Sequence, residues 1–250
     1  MLRKIITFVL FCMLLPASMS VPLANASPFQ TTSPTSPNSS AKSSSSSSSS
    51  ASSPKISVVV LNRDFTKYKK AKRKTPKDKD RMEIIYFYYF GSPWSAQIDG
   101  ELRRWAASRP YEVVFRPVPA YFNQNPAGIF GARIHYALEA LGQSETLSPL
   151  FIQAVQKGHV NLAKASSVFK WMENRGISEK DFQAALNSKQ SKFLTTSIPF
   201  VLKEYEIQST PTIVIDGQYI ISATSDRSPE RVLAITQFMA DKLSKGGPRP

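Results

Sequence analysis

Two serines three residues apart, Ser92 and Ser95, enclose Pro93-Trp94 directly after an unbroken apolar and aromatic run. Serine there can cap the free amides of a helix whose first turn suits proline, or serve as a nucleophile if a base takes its proton. The chain has two histidines, His135 and His159, on different predicted helices, and neither has a cysteine companion. Both read as partly exposed helical residues rather than as a base or as metal ligands, so no metal site is expected. No serine-hydrolase elbow and no phosphate loop is found, and nothing in the sequence supplies Ser92 with a base. The helix cap is the leading reading. Two further polar constellations stand out: Thr210-Pro211-Thr212, opening an apolar run, and Ser225-Asp226-Arg227.

Sulfur chemistry is bounded by a single residue. The one cysteine is Cys12, inside the apolar run Ile5 to Leu15. The basic head Met1-Leu2-Arg3-Lys4 precedes that run, and Ala24-Asn25-Ala26 follows it as an A-x-A site. This is the pattern of a cleaved secretory signal over residues 1–26, with an apolar run too short to span a bilayer. The expected product is exported and periplasmic, and it holds no cysteine, hence no internal disulfide and no thiolate nucleophile or ligand. Residues 27–55 are rich in Ser, Pro and Thr, with unbroken serine from Ser43 to Ser50. So little can be buried there that the ordering entropy is not offset, and a flexible tether is expected.

Charge is concentrated rather than spread. The formal net charge is +14. Residues 63–81 hold ten basic and three acidic side chains, +7 in one short stretch, whereas everything from Met82 onward has eighteen against fifteen, only +3. Lys67, Lys69, Lys70, Lys72, Arg73 and Lys74 could make weak contacts with anionic partners; a solvated loop that aids solubility is the plainer reading. Without aromatic interleaving or a known module, no specific nucleic-acid partner is expected.

The elements that must position the serines follow from periodicity. Ile56 to Leu61 is a β-branched run and reads as a first strand. Glu83 to Phe90, almost wholly apolar, fits a strand buried on both faces. A helix runs from Ser92-Pro93 to about Ser108, and Tyr111 to Val118 returns as a strand, which implies a parallel pair. A helical section follows over about 125–205. Asn125-Pro126 starts it, with Ile134, Ala137, Leu138 and Leu141 on one face, and further helices fit Leu147–Lys157, Leu162–Arg175, Ser178–Asn187 and Lys189–Tyr205. Pro211–Ile215 and Gln218–Ser222 form a hairpin about the two-residue turn Asp216-Gly217. Ser228-Pro229-Glu230 caps a last helix ending near Leu243, and 246–250 is a polar tail. One α/β domain over 56–245 accounts for the pattern.

Three segments carry a family resemblance. EIIYFYYFGSPWS resembles the DsbA strand running into its C-P-H-C motif, with Ser92 and Ser95 on the two cysteine positions. RPVPAYFNQNPAGIFGARIHYALEALG is similar to the start of that family's helical insert, and YEIQSTPTIVIDGQYIISA to its cis-proline loop and hairpin. The resemblance implies a thioredoxin-like fold with an inserted helical domain. It also implies a site from which the chemistry has gone. Serine keeps the helix cap but neither ionises near neutral pH nor forms a disulfide, so no catalytic residue is retained at Ser92, Pro93, Trp94 or Ser95. The buried acid the family often carries would fall at Tyr86, so its proton-relay equipment is expected to be missing. What the resemblance leaves is a groove: a cis bond before Pro211, the Thr210 backbone that pairs with bound peptide, and Trp94 as an apolar contact beside them. Expected partners are unfolded or extended peptide segments or another exported protein, with no cofactor.

A second resemblance points to an enzyme. Ser92-Pro93-Trp94-Ser95 is also similar to the S-P-Y-S element of kappa-class glutathione transferases, and Ser225-Asp226-Arg227 to the stretch they place near the glutathione backbone. On that reading Ser92 hydrogen-bonds the glutathione sulfur and favours its thiolate, and glutathione is the cofactor.

Overall fold

The computed structural model of the protein describes residues 63–69 and 81–244. The signal sequence with Cys12, the serine-rich tether, the strand expected at Ile56–Leu61, Lys70, Lys72, Arg73, Lys74 and the 246–250 tail lie outside the described residues. The elements, in chain order, are β1 (Thr66–Lys67), β2 (Met82–Tyr88), α1 (Pro93–Ala107), β3 (Val113–Pro119), α2 (Pro126–Ala140), α3 (Ser144–Gln156), α4 (Ala165–Glu173), α5 (Glu179–Asn187), α6 (Lys189–Glu204), β4 (Thr212–Ile215), β5 (Tyr219–Ser222) and α7 (Pro229–Ser244). Among the described residues no helix is long and apolar enough to cross a membrane.

The strands form one mixed sheet in the order β1-β5-β4-β2-β3. β2 pairs parallel with β3 and antiparallel with β4, and all seven of its residues are buried. Because side chains alternate across a strand, β2 serves two cores at once. Ile84, Tyr86 and Tyr88 enter a large core shared with α1, α7 and the helices α3, α4 and α5. Ile85 and Phe87 enter a second core with Val118, Tyr136 of α2, and Leu194, Ile198, Val201 and Leu202 of α6. The inserted helices therefore close both faces of the strand that leads to Ser92.

Charged side chains are buried with the apolar ones. Arg116 of β3 donates from Nε to Glu83 Oε1 at 2.6 Å, on the second face of the sheet, and both side chains are buried. On the first face, Arg103 of α1 donates from Nε to Asp99 Oδ2 at 3.0 Å, one turn earlier on the same helix. Arg103 also lies 5.8 Å from the Tyr88 ring centroid and 5.7 Å from that of Phe115, within the range of a cation–π contact. Burial pushes the Asp99 carboxyl above its ordinary range, and the Arg103 charge beside it pulls the other way.

Four expectations change in detail. The stretch read as a solvated basic loop begins as an edge strand: Thr66 and Lys67 pair with Ile220 and Tyr219, and Phe65 is buried against the Tyr219 ring. The hairpin loop has three residues, not two, since Ile215 pairs with Tyr219. Asp216 is drawn to β2, where its N–H donates to Glu83 O at 2.8 Å and its Oδ1 accepts from Glu83 N at 2.9 Å. Gln218 N–H then closes the loop onto Ile215 O at 2.9 Å. His135 is not partly exposed but fully buried, because α2 runs between the sheet and the insert and buries residues on all sides. His159 lies in the exposed turn after α3, not within a helix.

The Glu83–Arg116 pair should behave as a unit. Arg116→Leu removes the guanidinium bonded to the buried Glu83 carboxylate and should cost about 3–5 kcal/mol in chemical denaturation, whereas Glu83→Leu with Arg116→Leu should recover most of it. Equal loss in the single and double variants would show that the pairing is not what holds these side chains.

Candidate functional site

The site begins at the end of β2. Tyr89 lays the end of its ring over Gly91, where a Cβ would come within 2.5 Å of it, so a larger residue there would displace the tyrosine side chain. Ser92 follows in an extended conformation, and its Oγ accepts from Ser95 N–H at 3.2 Å while Pro93 starts the helix. This is the expected cap. The Ser92 hydroxyl donates in turn to the Thr210 carbonyl at 3.5 Å, a long contact that nonetheless brings the helix start against the loop ahead of β4. The Thr210–Pro211 bond is cis, as anticipated. Ser95 is fully buried, accepts weakly from Tyr89 N–H at 3.5 Å, and its carbonyl accepts from the Tyr86 hydroxyl at 3.0 Å.

The loop itself is fastened to β5. Pro211 O accepts from Ala223 N–H at 3.0 Å, and the Thr212 hydroxyl lies 2.8 Å from both Ser209 O and Ser222 Oγ. Ser92 and Thr210 are half-buried, Pro211 is buried, and Trp94 stands 40% exposed on the first turn of α1. Ser92, Trp94, Ser95, Thr210 and Pro211 thus lie on two adjoining segments, with the Ser92–Thr210 contact as the link between them.

The Ser92 hydroxyl is held by main-chain groups alone. The partners of Ser92 Oγ are an amide N–H and a carbonyl oxygen, neither of which can remove a proton from it. His135 is engaged elsewhere: its Nδ1 is 2.8 Å from the Tyr88 hydroxyl and its Nε2 faces Glu139 Oε1 at 3.2 Å. Burial raises the hydroxyl pKa of both Tyr86 and Tyr88, so both stay protonated. Among the described residues no cluster of three His, Cys, Asp or Glu could hold a metal ion.

Sequence reasoning missed the buried polar seam behind the site. Tyr86, Tyr88, Asp99, Arg103, His135 and Glu139 join β2, α1 and α2, with the rings of Tyr86 and Tyr88 stacked 5.3 Å apart. Tyr86 occupies the strand position at which the resemblance implies an acid, and the Asp99 carboxyl acts on Tyr86 from the neighbouring helix. The signal was present as the i,i+4 pair Asp99–Arg103, each residue directly after a buried apolar one, Ile98 and Leu102, a spacing that ordinarily reads as solvated. Ser225-Asp226-Arg227 is placed at the turn between β5 and α7. There Arg227 donates to Ser222 O at 2.8 Å and to the carbonyl of Arg63. A cleft of about 530 Å³ is lined by Ser225, Asp226 and Arg227 together with Arg63, Asp64 and Arg231, a set that includes neither Ser92 nor Trp94.

No protein-family model matches the chain. The chain is similar to the thiol:disulfide interchange protein DsbA of Pseudomonas syringae, with 24% identity over 162 residues that span 65% of this chain and 75% of the relative. DsbA of Burkholderia cepacia is 25% identical over 163 residues, covering 65% of this chain and 76% of that one. An uncharacterized Haemophilus influenzae protein is 23% identical over 184 residues, 73% of this chain and 77% of its own. Among solved structures, Pseudomonas aeruginosa DsbA superposes with a TM-score of 0.66 at 18% identity, over 75% of this chain and 96% of that one. The Xylella fastidiosa oxidoreductase DsbA gives 0.65 at 21%, over 75% and 98%.

If Ser92 and Ser95 stand where a dithiol could close, Ser92→Cys with Ser95→Cys should form an intramolecular disulfide under mild oxidant, read by thiol titration and mass. Two thiols that stay free would overturn this placement of the motif. Ser92→Ala should lower stability by about 1 kcal/mol, the usual loss of a serine cap.

Proposed function

Taking this chain as a DsbA-like thioredoxin-fold protein without the family's cysteine pair, we propose that it is a non-catalytic binding module for extended peptide segments or for another exported protein. The observation that carries this reading is the pairing of what is lost with what is kept. Serines occupy the helix start, while the cis Thr210–Pro211 loop remains beside it, linked through Ser92 Oγ. A loop fastened to β5 through Pro211 and Thr212 offers a fixed backbone edge, which is what strand addition needs. Trp94, exposed at the helix start, supplies a broad apolar contact for a client side chain. Export to the periplasm, through the sequence pattern of residues 1–26, belongs to the same proposal.

The glutathione-dependent reading is the competing one. It requires that Ser92 meet a thiol and that Arg227 reach the rest of the tripeptide. Arg227 instead spends its guanidinium on two main-chain carbonyls, and Ser92 spends its proton on a third. Both would have to be released before glutathione could use them.

Two measurements test the proposal. The protein should neither reduce insulin with a dithiol donor nor oxidise a reduced, unfolded client above the buffer rate; turnover by the chain would sink the central claim. In isothermal titration an extended apolar peptide should bind in the micromolar range, about −8 kcal/mol. Trp94→Ala should remove roughly 1–2 kcal/mol of that, as befits one aromatic anchor. Glutathione should give no heat. Saturable glutathione binding that Ser92→Ala abolishes would exchange the two readings.

A further inference from the structure

α6 covers the second face of the sheet, and its sixteen residues extend about 24 Å. Leu194, Ile198, Val201 and Leu202 turn inward, and the helix packs on α2 and α5. Its outer face is unlike that of a solvated helix. Lys189, Phe193, Thr196, Phe200 and Glu204 recur at intervals of three or four residues, so they form one stripe, and all five are exposed. Phe193 is 37% exposed and Phe200 48%. Thr196 between them adds little polarity. Its hydroxyl lies 3.1 Å from Lys192 O and 3.0 Å from Phe193 O, donating back into its own helix, which leaves the methyl group to the stripe.

The charges of the stripe stand at the wrong ends of the helix. A helix N-terminus favours acidic side chains and a C-terminus basic ones. Lys189 opens α6, whose first turn holds no acidic residue, and Glu204 closes it beside Lys203, the one basic residue of the last turn. Neither Lys189 nor Glu204 suits the dipole of its own helix. Both suit a second α6 running the other way. Lys189 and Glu204 are equally far from the midpoint between Thr196 and Ser197, and so are Phe193 and Phe200. An antiparallel copy in that register sets Phe193 on Phe200 and Lys189 against Glu204, each twice over, with Thr196 at the axis.

We propose that the outer face of α6 is a homodimer surface, on which a second copy of this chain docks its own α6 antiparallel about a two-fold axis. Such an interface is isologous, so it closes at two chains. A parallel pairing brings Lys189 to Lys189 and Glu204 to Glu204, and like charges set together oppose it. An anionic membrane also attracts lysine-flanked aromatics, but Glu204 lies within the stripe, one turn from Phe200, where such a surface repels it. One helix pair buries less than a standard interface, so the dimer is weak, with a dissociation constant on the order of 100 µM. α1 packs on the opposite face of the sheet and carries Trp94, so pairing through α6 leaves the candidate site uncovered. The pairing does not depend on what that site binds.

Sedimentation velocity of the purified protein, from tenfold below to tenfold above that concentration, is the test. The mean mass should climb from one chain toward two, and Phe200→Glu should hold it at one chain throughout. Lys189→Glu or Glu204→Lys alone should weaken association about tenfold, since each turns two exposed charge pairs repulsive. The two reversals together should restore it to within about twofold, the signature of a direct pair. Each reversal also suits the helix dipole, so a loss in either single variant is not a loss of the helix. A single chain at every concentration overturns the proposal. So does association that ignores Phe200→Glu, or charge reversals that fail to rescue each other. Co-sedimentation with anionic vesicles that Phe200→Glu abolishes, without self-association, overturns it too and gives the face to a membrane.

Discussion

The constraint on which the molecule depends is that β2 has no face left for water. A strand buried on both sides cannot shed a misfit into solvent, so every polar atom near it needs a partner within the protein. Glu83 is answered by Arg116 on one face, and the tyrosine hydroxyls by Ser95 O and His135 on the other. The inserted helices follow from the same constraint. They are the cover without which Tyr86, Tyr88 and Phe90 would lie open, and Phe90 packs edge-on against Phe151 of α3 at 4.8 Å. Gln153 and Gln156 of α3 donate to Ala96 O and Phe90 O, so the insert is hydrogen-bonded to the very segment that carries the serines.

This explains how serines can hold the shape of the site. The first motif position has two separable duties in such a fold: closing the free amides at the start of α1, and carrying a reactive atom. Ser92 meets the first duty with its Oγ, which accepts from Ser95 N–H. Ser95 is buried and its carbonyl is held by Tyr86, so the second position is likewise set by hydrogen bonding rather than by reactivity. Tyr86 meets this buried carbonyl with a neutral donor. A carboxylate there would be a buried charge with no thiol proton to exchange, whereas a phenol pushed up by burial stays neutral and donates.

Much of this was legible in the chain. Ser92-Pro93, Asn125-Pro126 and Ser178 each cap a helix in the structure as read, because capping is local and depends on a side chain reaching an amide two or three residues on. The run from Glu83 to Phe90 announced a doubly buried strand through composition alone. What could not be read is what depends on partners far along the chain. The pair Asp99–Arg103 and the residue His135 have the spacing of a solvated face, and only the approach of β2 and α3 removes the water. Lys67 sits in a run of cations that nothing local marks as a strand; its pairing with Tyr219 is made by β5, more than a hundred residues later.

The last link is between the edge strand and the sheet. β1 is only two residues long, and its hydrogen bonds alone would not hold it to the sheet. It is kept by Phe65 packed on Tyr219, by Tyr68 reaching Tyr205, and by Asp64 clamped between Arg63 and Arg231, with Arg231 Nη2 at 2.8 Å. That anchoring is more than two residues of backbone need, and it gathers basic side chains at one end of the sheet. A short, charged edge also resists pairing with another copy of the same edge, since lysines brought face to face repel.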